Sequence, residues 1–158
     1  MPKEPVARGV VLAAAVDHTD AVAALRKEAL SILRALDAPG REAQAAGVED
    51  DYVVLVLGGE GDGAAPAWPD LKDRAATVIA VGEDAPLVRA AIARARKRLR
   101  ERGATLGARE LLLRPAAFGY LGLESDGLRE RLEILLRTLV LDAERLRLRR
   151  EGWEEPDA

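Results

Sequence analysis

Residues 52–65 read Tyr52-Val53-Val54-Leu55-Val56-Leu57-Gly58-Gly59-Glu60-Gly61-Asp62-Gly63-Ala64-Ala65. The run from Tyr52 to Leu57 has no charged side chain and is rich in valine, which predicts a strand buried on both faces, as in a parallel sheet covered by helices. It opens directly into glycines, where α/β proteins bring backbone close to a ligand. The next compact apolar run, Thr77-Val78-Ile79-Ala80-Val81, follows about twenty residues later. A connection of that length suits a crossover between parallel strands better than a hairpin. The alternative is a ferredoxin-like α+β fold in which these two strands run antiparallel.

Working outward, residues 6–16 are continuously apolar after Arg8 and read as a first buried strand. Asp17-His18-Thr19-Asp20 supplies cap-type residues, and Val22, Leu25, Ala29, Leu33 and Leu36 then recur at helical spacing. Pro39-Gly40 ends that helix, and residues 41–47 are expected to add a short helical turn. Another short helix is expected near residues 70–75, before the strand at 77–81. Acidic Glu83-Asp84 followed by Pro86 starts a further helix, since both residue types suit a helix N-terminus; Gly103 ends it. Glu110-Leu111-Leu112-Leu113-Arg114 reads as a fourth strand stopped by Pro115, and residues 116–124, with Phe118 and Tyr120, read as a loop. A long last helix runs from Ser125-Asp126 to about Arg150. The expected architecture is a three-layer α/β domain over residues 1–150, with a mostly parallel sheet of about four strands and a polar tail at 151–158.

Composition narrows the chemistry. The chain has 158 residues, one domain's worth. It has no cysteine, which removes disulfides, thiolate metal sites and cysteine nucleophiles. A Ser-His-Asp triad would have to use Ser31, which lies in a predicted helix, or Ser125, which reads as a cap. No apolar stretch is long enough to span a bilayer and no signal segment is evident, so a cytoplasmic location is expected. The excess of arginine over lysine and the absence of asparagine fit a thermostable protein, a GC-rich genome or an engineered sequence.

In a parallel sheet the segments that follow each strand converge on one edge, where open α/β sheets bind ligands. The ligand-binding candidates there are Asp17, His18, Gly58, Gly59, Glu60, Asp62 and Glu83, with Asp20 and Asp84 adding to an acidic edge. Clustered hard oxygens suit Mg²⁺, with Asp17 and Asp62 as candidate ligands. The same residue types also collect at helix N-termini as caps, and glycine turns also serve as plain connectors. The glycine loop matches neither a Walker A motif nor a dinucleotide fingerprint, because no lysine-serine pair ends it and the glycine spacing fails.

Two further surfaces stand out. The basic helix 89–102, with Arg94, Arg96 and Arg98, offers cations for the phosphates of RNA or DNA. Cations near a helix C-terminus are favourable in themselves, however, and the net charge of −3 and the scarcity of aromatic residues count against a nucleic-acid partner. The last helix carries Leu128, Leu132, Leu135, Leu136, Leu139, Ala143 and Leu146 on one stripe, widened by Ile134, Val140, Leu141 and Leu148. A helix apolar on more than one face is buried in the core or against another chain, so a homo-oligomer or protein partner is expected. The reading is an accessory or binding module that self-associates through this helix. The alternative is a carboxylate-based, Mg²⁺-dependent enzyme acting on a phosphorylated or amino-acid substrate.

Residues 55–90, LVLGGEGDGAAPAWPDLKDRAATVIAVGEDAPLVRA, together with Leu111 to Ala117, LLLRPAA, and the segment Asp17-His18-Thr19-Asp20-Ala21, resemble the C-terminal domain of the Mur ligase family, D-glutamate-adding type. The resemblance covers most of residues 10–127 and implies a Rossmann-like fold. It implies that Asp17 corresponds to the aspartate that faces the nucleotide ribose. Asp62 stands where that family has the lysine of its glycine turn, and Gly119 where it has a later serine, so the amino-acid-binding positions are not matched. The nucleotide loop of the family belongs to a domain this chain lacks.

Overall fold

The computed structural model describes residues 7–15, 17–47, 49–59, 68–107, 111–114, 118–119, 122–123 and 126–152. Along the chain these form β1 (Gly9–Ala15), α1 (Thr19–Ala35), β2 (Gly40–Glu42), β3 (Tyr52–Gly58), β4 (Ala75–Val81), α2 (Ala85–Glu101), β5 (Thr105–Leu106), β6 (Leu111–Leu113), β7 (Phe118–Gly119), β8 (Gly122–Leu123) and α3 (Asp126–Arg150). The main sheet has the order β2-β1-β3-β4-β5, with β6 also pairing β4, and all of its pairs are parallel. That excludes the ferredoxin-like alternative: β3 and β4 run side by side in the same direction from Tyr52↔Ala75 to Gly58↔Val81. The sheet has six strands rather than about four, because β2 and β5 are pieces of three and two residues that a sequence pattern cannot carry.

Alternation along the strands separates two cores. Val11, Val54, Val56, Ile79 and Val81 face α1 and α3, packing on Leu25, Leu33, Leu132, Leu136 and Leu139. Val10, Leu12, Val53, Leu55, Leu57 and Val78 face α2, packing on Val88, Ile92 and Leu99, with Trp68 and Leu71 in the same layer. The connection from β2 to β3 contributes Ala43 and Ala46 to that second layer in place of a helix.

Neither of the two short helices expected from sequence forms. At 41–47 the carbonyls a helical turn would use are taken by arginines: Arg26 donates to Ala43 O (2.9 Å) and Arg41 to Ala45 O (3.4 Å). At 70–75 the Asp70 carboxylate accepts the Lys72 N–H (3.0 Å), and Asp73 takes a left-handed conformation (φ 57°), giving a turn and an early start to β4. A two-stranded antiparallel hairpin, β7–β8, falls within the stretch expected to be a loop. Residues 153–158 of the expected polar tail lie outside the described residues.

Three glycines and a tyrosine fix the amino end of the sheet and its turns. A Cβ on Gly9 would sit 2.3 Å from the Tyr52 ring. Tyr52 fills that space from β3 and donates its hydroxyl to Ala38 O at 2.6 Å, tying the end of α1 to the centre of the sheet. Gly103 ends α2 at φ 94°, and a Cβ on it would meet the Lys72 backbone at 3.1 Å. Gly40, at the start of β2, leaves room for the Tyr52 hydroxyl 3.0 Å from where its Cβ would be.

Candidate functional site

The site follows from where the chain leaves the sheet. Ala15 of β1, Gly58 of β3, Val81 of β4 and Leu113 of β6 share one register line, so four strands end level. From β1 the chain turns to the α1 face, while from β3 it turns to the opposite face, where Trp68 and Leu71 lie. A reversal of winding between adjacent strands opens a crevice, the position at which open α/β sheets bind ligands. At that position stand Asp17 to Asp20 after β1 and Gly58 and Gly59 at the end of β3.

Its first wall is the start of α1. His18 is in a left-handed conformation (φ 55°, ψ 39°) and gives the helix no side-chain cap, a conformation that is uncommon outside glycine. The Asp17 carboxylate accepts the His18 N–H at 2.8 Å, and its other oxygen lies 3.9 Å from the His18 ring. Asp20 stands in the first turn of the helix. This helix start therefore already holds carboxylates of its own.

The second wall is glycine-built for steric reasons. Gly59 has φ 83° and donates to Val81 O at 3.0 Å. Gly82 donates to Leu113 O at 3.0 Å, and a Cβ on it would fall 2.3 Å from Val88 Cγ2. Asp84 caps α2, its Oδ1 accepting the Leu87 N–H at 3.3 Å, and Glu83 is exposed beside it. Within residues 17–20, 58–59 and 82–84 there is no lysine or arginine. Arg114 follows β6, three strand spacings or about 14 Å across the sheet from β1.

The structure thus brings Asp17, His18, Gly58, Gly59 and Glu83 to one edge. Glu60 and Asp62 lie outside the described residues, so the Asp17–Asp62 pair suggested for Mg²⁺ has no described geometry. Among the described residues no three His, Asp or Glu side chains cluster as metal ligands. The three candidate arginines of the basic helix are placed differently. Arg94 and Arg98 are exposed and each engaged in an interaction, whereas Arg96 turns inward to donate to Gly107 O at 2.9 Å.

A cavity of about 200 Å³ lies elsewhere, lined by Ala76, Thr77, Gly107, Leu135, Leu139 and Asp142 among others. It lies where the described residues of β5 and β6 pair with the two ends of β4, on either side of Thr77 and Val78. No sequence motif marks it. A register mismatch is visible only once the strands are paired.

The comparisons with solved structures settle the fold. A short-chain flavodoxin associated with a non-canonical PDU bacterial microcompartment superposes with a TM-score of 0.68 at 17% identity, covering 87% of this chain and 99% of its own. The fold is flavodoxin-like. Oxidised flavodoxin 1 from Bacillus cereus gives 0.64 at 17% identity, over 85% of this chain and 98% of that one. The flavodiiron core from Synechocystis sp. PCC6803 gives 0.60 at 10% identity, over 89% of this chain and 36% of its own length. No protein-family model matches the chain, and no curated protein matches it. The resemblance to Mur ligases is accordingly corrected: the structural neighbours are flavodoxins. The motifs behind it have a plainer cause, since Gly59 needs a positive φ and Gly82 must clear Val88. Glycines recur wherever parallel strands end in tight turns. Among the described residues no helix is long and apolar enough to cross a membrane.

Proposed function

We propose that the chain is a ligand-binding module of flavodoxin-like fold that works through the crevice between the carboxyl ends of β1 and β3. The observation that carries this reading is the reversal of winding at that point, with four strand ends level around it. Flavodoxins, which share this strand order, hold flavin mononucleotide at the same switch point, so FMN is the first ligand to weigh.

Its phosphate does not fit the residues described. Phosphates bind helix N-termini through free backbone N–H groups, and of those at the start of α1 the His18 N–H is taken by Asp17. A phosphate at the start of α1 would lie against Asp17 and Asp20 with no cation in the neighbouring loops. Two like unit charges 4 Å apart repel by about 1 kcal/mol even in bulk water, and more where water is excluded. The crevice therefore favours a neutral or cationic group at its α1 end, and an electron carrier built on phosphate-anchored FMN is not supported.

Titration with FMN and with riboflavin, followed by flavin fluorescence, tests the reading. FMN is expected to bind no more tightly than riboflavin. Binding of FMN about 100-fold tighter than riboflavin would overturn it. For any ligand that binds, the backbone amide shifts should centre on residues 17–20, 58–59 and 82–84, and a ligand that leaves them unmoved refutes the crevice as the site.

A further inference from the structure

The outer face of α3 carries a second, independent message. Ile134, Leu141 and Leu148 are 45%, 56% and 37% exposed, although the inner face of the same helix is fully packed. Val140, which the sequence groups with them, is buried in the core. The three exposed residues are seven apart, so they form a single straight line about 21 Å long on a helix rising 1.5 Å per residue. A strict seven-residue apolar period drifts slowly around an α-helix and matches a second helix crossing at a shallow angle.

We propose that this line is a self-association seam, on which α3 of a second copy of this chain packs antiparallel about Leu141. Turned end over end, each helix sets Ile134 over the partner's Leu148 and Leu141 over the partner's Leu141. On one flank Arg137, three residues after Ile134, comes beside the partner's Glu144, three residues after the partner's Leu141, and two-fold symmetry repeats the pair. Arg137 is exposed and holds Glu133 at 2.8 Å, so its charge is already directed along this flank. Thr138 comes beside the partner's Arg145 on the other flank.

Direction follows from charge. A parallel pair would set the two arginine-bearing last turns, with Arg147, Arg149 and Arg150, side by side. The antiparallel pair opposes the helix dipoles instead and places each basic end beside the partner's first half, in which Asp126, Glu130 and Glu133 balance Arg129, Arg131 and Arg137. A seam of three large apolar residues is smaller than the roughly 800 Å² per partner of a standard stable interface, so the dimer exchanges with monomer.

The absence of cysteine makes the arrangement directly testable. In the chain carrying Leu141→Cys, oxidation should give a disulfide-linked dimer, because residue 141 meets its own copy on the two-fold axis. Ile134→Cys alone should not cross-link, since its copy lies about 21 Å away along the seam. An equimolar mixture of Ile134→Cys and Leu148→Cys should cross-link to the mixed dimer. Efficient self-linking of Ile134→Cys would overturn the antiparallel arrangement. Sedimentation of the unmodified chain should show concentration-dependent doubling of mass, which Leu141→Arg abolishes with the melting temperature unchanged. A unmodified chain that stays monomeric to millimolar concentration would overturn the seam altogether.

Discussion

The two ends of the sheet handle their carboxylates in opposite ways. At the amino end Asp50 and Asp51 are only 2% and 8% exposed, and each is matched. Arg41 holds Asp50 through two nitrogens (3.1 and 2.6 Å), and the Gly47 N–H adds a third bond at 2.7 Å. Asp51 accepts the Arg8 N–H at 3.0 Å and pairs with Arg150 from the last turn of α3, which also donates to Asp73 O. At the carboxyl end the Asp17 side chain is 73% exposed and accepts its neighbour's backbone N–H, with Asp84 serving as a cap. Burial explains the contrast. A buried carboxylate persists only with partners that replace its water, so the amino end is built as a lock, whereas solvated acids cost the fold little and are left to determine what may approach the crevice.

The largest expected effect breaks the lock. Asp51→Ala leaves Arg150 without its carboxylate and the Arg8 N–H without its acceptor. It also removes a favourable charge from Arg74, whose guanidinium is held below its ordinary range by burial and by the like charge of Arg150. Loss of one partner of such a network costs about 3 kcal/mol. Urea unfolding should register it as a lower midpoint, while Asp17→Ala should stay within about 0.5 kcal/mol of the parent. Equal losses at the two sites would erase the distinction between lock and crevice.

Next in size is Tyr52, which sits against Asp50 and Asp51 but belongs to the core. Burial, reinforced by those two aspartates, pushes its phenol well above the ordinary value of 10.0. Tyr52→Phe loses the bond to Ala38 O and should cost about 1 kcal/mol at pH 7. The pH dependence has a definite sign. Below pH 10 the phenol is protonated in both folded and unfolded chains, so its contribution is complete. Above pH 10 only the unfolded chain releases the proton, and stability should fall by up to about 1.4 kcal/mol per pH unit. Urea midpoints between pH 9 and 11 should fall more steeply for the parent than for Tyr52→Phe, and parallel slopes would show that the phenol is solvated.

Much of this contrast is legible in the sequence, and the rest is not for identifiable reasons. β3 and β4 announce themselves because both faces are buried and each keeps an unbroken apolar run. The three helices follow from their periodic apolar positions, and the acidic edge follows from parallel topology once those elements are placed. β2 and β5 exist only through pairing, Gly40 with Gly9 and Thr105 with Ala75, and segments that short have no period of their own. The matching of Asp51 with Arg150 joins residues 99 positions apart, and nothing local distinguishes that arginine from Arg149 beside it. The left-handed backbone of His18 is equally invisible, because only proline fixes φ and only glycine in a sequence signals a positive one.

The smallest effect on the fold is the sharpest on the crevice. Replacing Asp17 and Asp20 together by asparagine removes two charges without removing atoms, and asparagine at 17 can still accept the His18 N–H that Asp17 accepts at 2.8 Å. Stability should stay within about 0.5 kcal/mol. Removing about 1 kcal/mol of repulsion per charge, about 2 kcal/mol in all, should raise the affinity for inorganic phosphate or FMN by about thirtyfold at low salt. Because the Debye length shortens to about 3 Å at 1 M salt, the gain should nearly vanish there. A gain that survives high salt would mean that the substitutions opened space or released backbone N–H groups rather than removed charge. If phosphate binds no better at any salt concentration, the shape of the loop excludes it, and the acidic edge then has no part in selecting the ligand.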